Sequence, residues 1–191
     1  MLKNIAVYCG SSRGNAPIYS AKARALGAGL VRHNIGMIFG GGKVGLMGEI
    51  ADKMLQLGGY AHGIIPQHLF EREVAHKGLS KLTIVDSMHS RKAMIEELSD
   101  GFIAMPGGIG TLDEIVEIFT WSQLELHHKP IGFYNVANYF DPLFDFFRQM
   151  ATKGFLQPEY MKLLIRDDDP EKLLAAMTTY RPVSVRKWTD R

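Results

Sequence analysis

Short apolar runs alternate with amphipathic stretches along most of the 191 residues, and three of those runs end in glycine-rich loops. A strand buried on both faces reads as a continuous apolar run, whereas a helix laid on a sheet repeats its apolar residues every three or four positions. The alternation predicts repeated strand–helix units. The expected fold is α/β: a single-domain, Rossmann-like, doubly wound, mostly parallel sheet with helices on both faces. Strands are expected over residues 4–9, 37–39, 60–65, 82–85, 101–105 and 131–134, and helices over 18–32, 45–57, 90–98, 112–125 and 140–153. Asp169 followed by Pro170 suits an N-cap and a first helical residue, so a last helix should start near Pro170. The run Asp167, Asp168, Asp169 then complements a helix dipole instead of binding a metal. The domain is expected to span residues 1–191, with 182–191 as an extension.

The loops are Cys9-Gly10-Ser11-Ser12, the stretch Phe39-Gly40-Gly41-Gly42-Lys43-Val44-Gly45, and Met105-Pro106-Gly107-Gly108-Ile109-Gly110-Thr111. Each follows a strand, and in open α/β sheets ligands bind at the carboxyl ends of strands. Glycine lets backbone N–H groups approach an anion, and hydroxyls add donors, which makes Ser12, Gly41, Gly42, Gly108, Ile109, Gly110 and Thr111 candidates for a phosphate cradle. Turn geometry accounts for the glycines of the first two loops equally well. The third joins glycines, a threonine and a carboxylate at a helix start, where an anion is favoured. Gly40, Gly42 and Gly45 satisfy the dinucleotide pattern GxGxxG, but the next strand ends Ile64-Ile65-Pro66 with no acid for a ribose hydroxyl. Nor is this a magnesium-binding P-loop, because Val44 stands where Ser or Thr is needed.

Glu114 has two readings. Thr111 and Glu114 have the spacing of a capping box, and a carboxylate in the first turn beside a phosphate loop also lies near any sugar carried by that phosphate. Arg91 and Lys92 are expected in the first turn of a helix, where the dipole disfavours cations by about 0.3–1 kcal/mol, so a bound anion or Glu114 should compensate. His89 reads as structural, and His127 and His128 as exposed residues at a helix end. Trp121, Leu124 and Leu126 read as core packing, with an interface as the other possibility.

A net charge of +2 with 22% charged residues offers no polyanion-binding surface, so nucleic acid is not an expected partner. No apolar run approaches membrane-spanning length. Cys9 is the sole cysteine, which excludes an internal disulfide and fits a small buried hydrophobe in a reducing, cytoplasmic setting.

The segment PGGIGTLDE, Pro106 to Glu114, resembles the PGGxGTxxE signature of the Lonely Guy family of cytokinin-activating phosphoribohydrolases. GGGKVGLMG from Gly40 to Gly48 is similar to that family's second glycine loop, and MHSRK from Met88 to Lys92 to its arginine–lysine segment. Many relatives carry the label "lysine decarboxylase", but no lysine here has a distinct context for a pyridoxal phosphate Schiff base. The resemblance implies hydrolysis of the N-glycosidic bond of adenine-type nucleoside 5′-monophosphates, cytokinin ribotides or AMP, to free base and ribose 5-phosphate. It implies Arg91 and Glu114 as catalytic residues, and nucleotide contacts at Glu73, Lys92, Gly108, Ile109, Gly110, Thr111 and Thr120. No metal or cofactor is required, and a homodimer is implied. Thr120 also suits a mid-helix hydroxyl bonding back to its own chain. The competing reading is a noncatalytic carrier of a nucleotide or phosphorylated cofactor.

Overall fold

The structure is a computed structural model that describes residues 2–71 and 75–182. The order is β1 (Asn4–Tyr8), α1 (Pro17–Arg32), β2 (Gly36–Phe39), α2 (Gly45–Gln56), β3 (Ala61–Pro66), a single-turn α3 (Gln67–Phe70), β4 (Lys81–Val85) and α4 (Met88–Leu98). There follow β5 (Gly101–Ala104), α5 (Ile109–Gln123), β6 (Ile131–Tyr134), α6 (Asp141–Thr152), β7 (Leu164–Asp167) and α7 (Pro170–Thr179). The seven strands form one sheet in the order β4-β3-β2-β1-β5-β6-β7, and every pairing is parallel.

Side chains alternate across the strands and so build two cores. Ile5, Val7, Met37, Phe39 and Ile103 point to the layer of α1, α2 and α7, while Ala6, Tyr8, Ile38, Phe102 and Phe133 point to the layer of α4, α5 and α6. Each fully buried aliphatic or aromatic side chain contributes about 1.5–3 kcal/mol, so the two layers together clamp the sheet between them. No helix among the described residues is long and apolar enough to cross a membrane.

Strand order reverses at the centre. From β1 the chain winds outward to β4, then returns to lay β5 against the other side of β1. The carboxyl ends of β1 and β5 therefore splay their loops in opposite directions and leave a crevice, the usual ligand position in such sheets.

The expected strands and long helices are present, with three differences. β7 escaped because Leu164-Ile165-Arg166-Asp167 is a short edge strand with one polar face and little apolar run to announce it. Helix α4 begins at Met88, capped by the Ser87 side chain, which accepts from the Ser90 N–H at 3.0 Å. Arg91 and Lys92 thus occupy the end of the first turn and the start of the second. Helix α5 begins at Ile109, three residues before the expected start, so Thr111 and Glu114 lie inside the helix and form no capping box. Asp169 caps α7 as expected, its side chain accepting from the N–H groups of Glu171 and Lys172.

Candidate active site

Backbone hydrogen bonds stitch the three glycine loops together at the crevice. The Gly10 N–H donates to the Pro106 carbonyl at 3.0 Å, and the Leu46 N–H donates to the Gly10 carbonyl at 3.0 Å. Tyr139 braces the third loop by donating its hydroxyl to the Gly107 carbonyl at 2.6 Å. On the other side, the His76 N–H donates to the Gly41 carbonyl at 2.8 Å and Ala75 forms a β-bridge with Gly42. Gly45 adopts a positive φ of 65°, and any Cβ there would run into the Ser11 backbone, so only glycine lets the first two loops meet.

The loops and helices enclose a cavity of about 600 Å³ over the ends of β1 and β5. Its polar side chains include Tyr8, Ser11, Thr111, Arg91, Asp113 and Glu114, and Gly108, Ile109 and Gly110 form its rim at the start of α5. Val44, Met47, Leu69 and Met88 make one apolar wall. The volume lies within the ~300–1,000 Å³ common for small-molecule sites.

Arg91 and Glu114 meet in this cavity, Arg91 Nη2 donating to Glu114 Oε1 at 3.1 Å. Their side chains are only 13% and 11% exposed. Burial raises the Glu114 carboxyl above its ordinary value; Arg91 and then Lys92 oppose the rise, while Asp113 and Glu117 add to it. The guanidinium lies against Gly40, where any side chain would collide with Nη2. Its Nη1 makes only a weak contact, 3.7 Å to the Met88 sulfur, and its Nε is buried without a partner. The charge that was unexplained at a helix start is thus paired with Glu114 and retains donor capacity for a ligand oxygen.

No side chain caps α5 at Gly108. Its opening turn, Ile109 to Thr111, lines the cavity with first-turn N–H groups that an intrahelical bond cannot satisfy. Thr111 is 4% exposed and packs against Gly107.

Other candidates lie elsewhere. Lys92 turns to the outer side of the helix pair, 2.8 Å from Asp113 and 3.3 Å from Glu117, and lines a separate depression with His89 and Trp121. Thr120 donates to the Val116 carbonyl of its own helix at 2.8 Å. Ser12 accepts from the Gly14 N–H and faces a smaller cavity of about 230 Å³ beside Tyr19 and Tyr139. Gly42 lines the large cavity, whereas Gly41 sits behind it against Gly63 and Leu82. Glu73 lies outside the described residues.

Two side-chain expectations need correction. His127 is buried, bonded through Nε2 to the Ile118 carbonyl at 2.9 Å and packed on Phe102; burial lowers its pKa, so it serves as a neutral core residue. Leu124 and Leu126 are exposed, not packed in the core, because α5 ends at Gln123 and the chain turns outward. Sequence reading also passed over Tyr8, Gly40, Met88 and Leu69 as site residues. Tyr8 and Gly40 had a usable signal, since both stand at the carboxyl end of a strand entering a glycine loop.

A family described as "Possible lysine decarboxylase" matches residues 47–177. A rice protein named as a probable cytokinin riboside 5′-monophosphate phosphoribohydrolase is 38% identical, covering 97% of this chain and 78% of its own length. An Arabidopsis thaliana protein named as a cytokinin riboside 5′-monophosphate phosphoribohydrolase is 39% identical, covering 94% of this chain and 84% of its own. Among solved structures, the molybdenum cofactor binding protein of Rippkaea orientalis superposes with a TM-score of 0.71 at 18% identity, over 94% of this chain and 97% of that one. A molybdenum cofactor carrier protein from Chlamydomonas reinhardtii gives 0.68 at 16% identity, over 93% and 96%. Identity that low speaks to the fold alone. By the near-complete match to its sequence relatives, this chain belongs to the family of cytokinin riboside 5′-monophosphate phosphoribohydrolases.

Proposed function

We propose that the large cavity binds an adenine-type nucleoside 5′-monophosphate and cleaves its N-glycosidic bond, releasing free base and ribose 5-phosphate. The observation that carries this reading is the buried Arg91–Glu114 pair inside the same cavity as the uncapped start of α5. A phosphate seated on Gly108, Ile109, Gly110 and Thr111 satisfies the free N–H groups and the helix dipole. Glu114, one turn further along α5, then stands beside the ribose.

Breaking the C1′–N bond develops positive charge on the sugar, which a fixed, largely buried carboxylate stabilises more strongly than water does. Glu114 takes a proton from the attacking water. A guanidinium is a poor proton donor, so Arg91 positions Glu114 and balances its charge without acting as an acid. The apolar wall of Val44, Met47, Leu69 and Met88 suits a base carrying a hydrocarbon substituent, which favours cytokinin ribotides alongside AMP.

The chain acts as one nucleotide-binding unit in the cytoplasm and pairs as a homodimer through the exposed apolar residues Val116 of α5 and, just beyond that helix, Leu124 and Leu126, the last at 67% exposure. Incubation with AMP and with N6-prenylated adenosine monophosphate, followed by detection of free base, tests the reaction. Tight nucleotide binding without base release would instead establish a carrier.

A further inference from the structure

Tyr8 ends the central strand β1 and lines the floor of the Arg91–Glu114 cavity, yet it is only 4% exposed. Its ring lies parallel to Phe102, 6.3 Å between centroids, which holds the phenol in one orientation on the α4–α5 side of the sheet. The hydroxyls of Tyr134 and Tyr160 are sealed in the core. That of Tyr8 instead opens on the cavity and has no hydrogen-bond partner among the described residues. A buried phenol without a protein partner calls for a ligand or water. Beside it, Glu114 commits Oε1 to Arg91 and keeps Oε2 for another donor.

We propose that the Tyr8 hydroxyl and Glu114 together hold the water that attacks C1′ of the ribose. The proposal rests on the phosphoribohydrolase reading and adds a residue to its machinery. A phosphate is a poor occupant of this floor, because Glu114 would repel it, whereas water donates to the carboxylate and accepts from the phenol. Burial first, and then the Glu114 charge, push the Tyr8 hydroxyl well above its ordinary pKa, so it keeps its proton throughout the working range. In the reaction the water oxygen bonds to C1′ and one water proton passes to Glu114. The C1′–N bond breaks with its electron pair going to the base nitrogen, and a solvent proton neutralises the departing base.

The test is Tyr8→Phe in the full chain, which keeps the ring on Phe102 and deletes only the hydroxyl, with an unchanged thermal midpoint as the check on folding. With AMP, kcat should fall about tenfold while KM stays within about twofold, since the lost bond acts on water and not on nucleotide binding. The same fold-loss should appear with 2′-deoxy-AMP. Unchanged kcat, or a change confined to KM, overturns the proposal. A loss that disappears with 2′-deoxy-AMP also overturns it, because the phenol then holds the ribose 2′-hydroxyl. Absence of adenine release by the unsubstituted protein sinks the hydrolase reading itself, a result distinct from normal turnover that ignores Tyr8.

Discussion

Arg91 and Lys92 are neighbours in α4, and Glu114 and Asp113 are neighbours in α5, yet the two cation–carboxylate pairs they form differ in kind. Arg91–Glu114 points into the crevice, with both side chains less than 15% exposed. Lys92–Asp113 points outward, with Asp113 at 56% exposure and Glu117 sharing the same ammonium. One step along a helix rotates a side chain by about 100°, which turns Lys92 away from the cavity that Arg91 lines, while Asp113 borders that cavity but gives its carboxylate to Lys92. Burial then separates their chemistry: desolvation raises the carboxyl that is shielded from water, and solvent screens the pair that is not. The lesson is that a charged dipeptide motif supplies two different pairs, one buried inside the cavity and one that ties the two helices together at the surface.

Glu114→Gln is the sharpest way to challenge that contrast. It removes the proposed general base but keeps shape, and adenine release from AMP should drop by about 10²–10⁴-fold with nucleotide binding retained, as read by calorimetry. Arg91→Met should lower kcat by about 10²–10³-fold. It also carries a signed pH effect. Glu114 must be ionised to take a proton, burial raises its pKa, and Arg91 opposes that rise, so loss of Arg91 must move the acid limb of the pH–rate profile upward. A limb that stays in place would show that another group titrates.

Gly40→Ala leaves both charges intact but puts a methyl where the guanidinium lies, and should cost about 10²-fold in kcat through misplacement of Arg91. Wild-type turnover there would mean that Arg91 is mobile in the working enzyme. For the outer pair, Lys92→Ala should cost less than about tenfold in turnover and about 0.2–1 kcal/mol in stability, measured by urea denaturation. A loss matching that of Arg91 would erase the distinction between the two pairs. Thr120→Val should change neither kcat nor KM, because its hydroxyl bonds back to Val116.

Much of the architecture was legible because burial on two faces writes itself as apolar runs, and the glycines, Pro170 and Asp169 mark the ends of elements. Where local chemistry offers a second solution, the sequence pattern alone misplaces the residue. Thr111 and Glu114 have capping-box spacing, but the third loop already turns helical at Ile109, and this puts Glu114 a full turn deeper, within reach of Arg91. His127 looked exposed beside His128 and Lys129, but the turn after α5 folds it onto Phe102. Edge strand β7 carries too little apolar signal to be seen without its partner β6.

By itself the sequence determined the alternation of strands and helices, the glycine loops at strand ends and the presence of a cation and an acid near helix starts, since these depend on periodicity and local backbone chemistry. Only the tertiary structure decided that β5 inserts beside β1, that Arg91 rests on Gly40 and reaches Glu114, and that Lys92 and Ser12 face elsewhere. Those outcomes depend on which faces of distant segments are driven together by burial, and a side chain's direction around its helix is settled only once that packing exists.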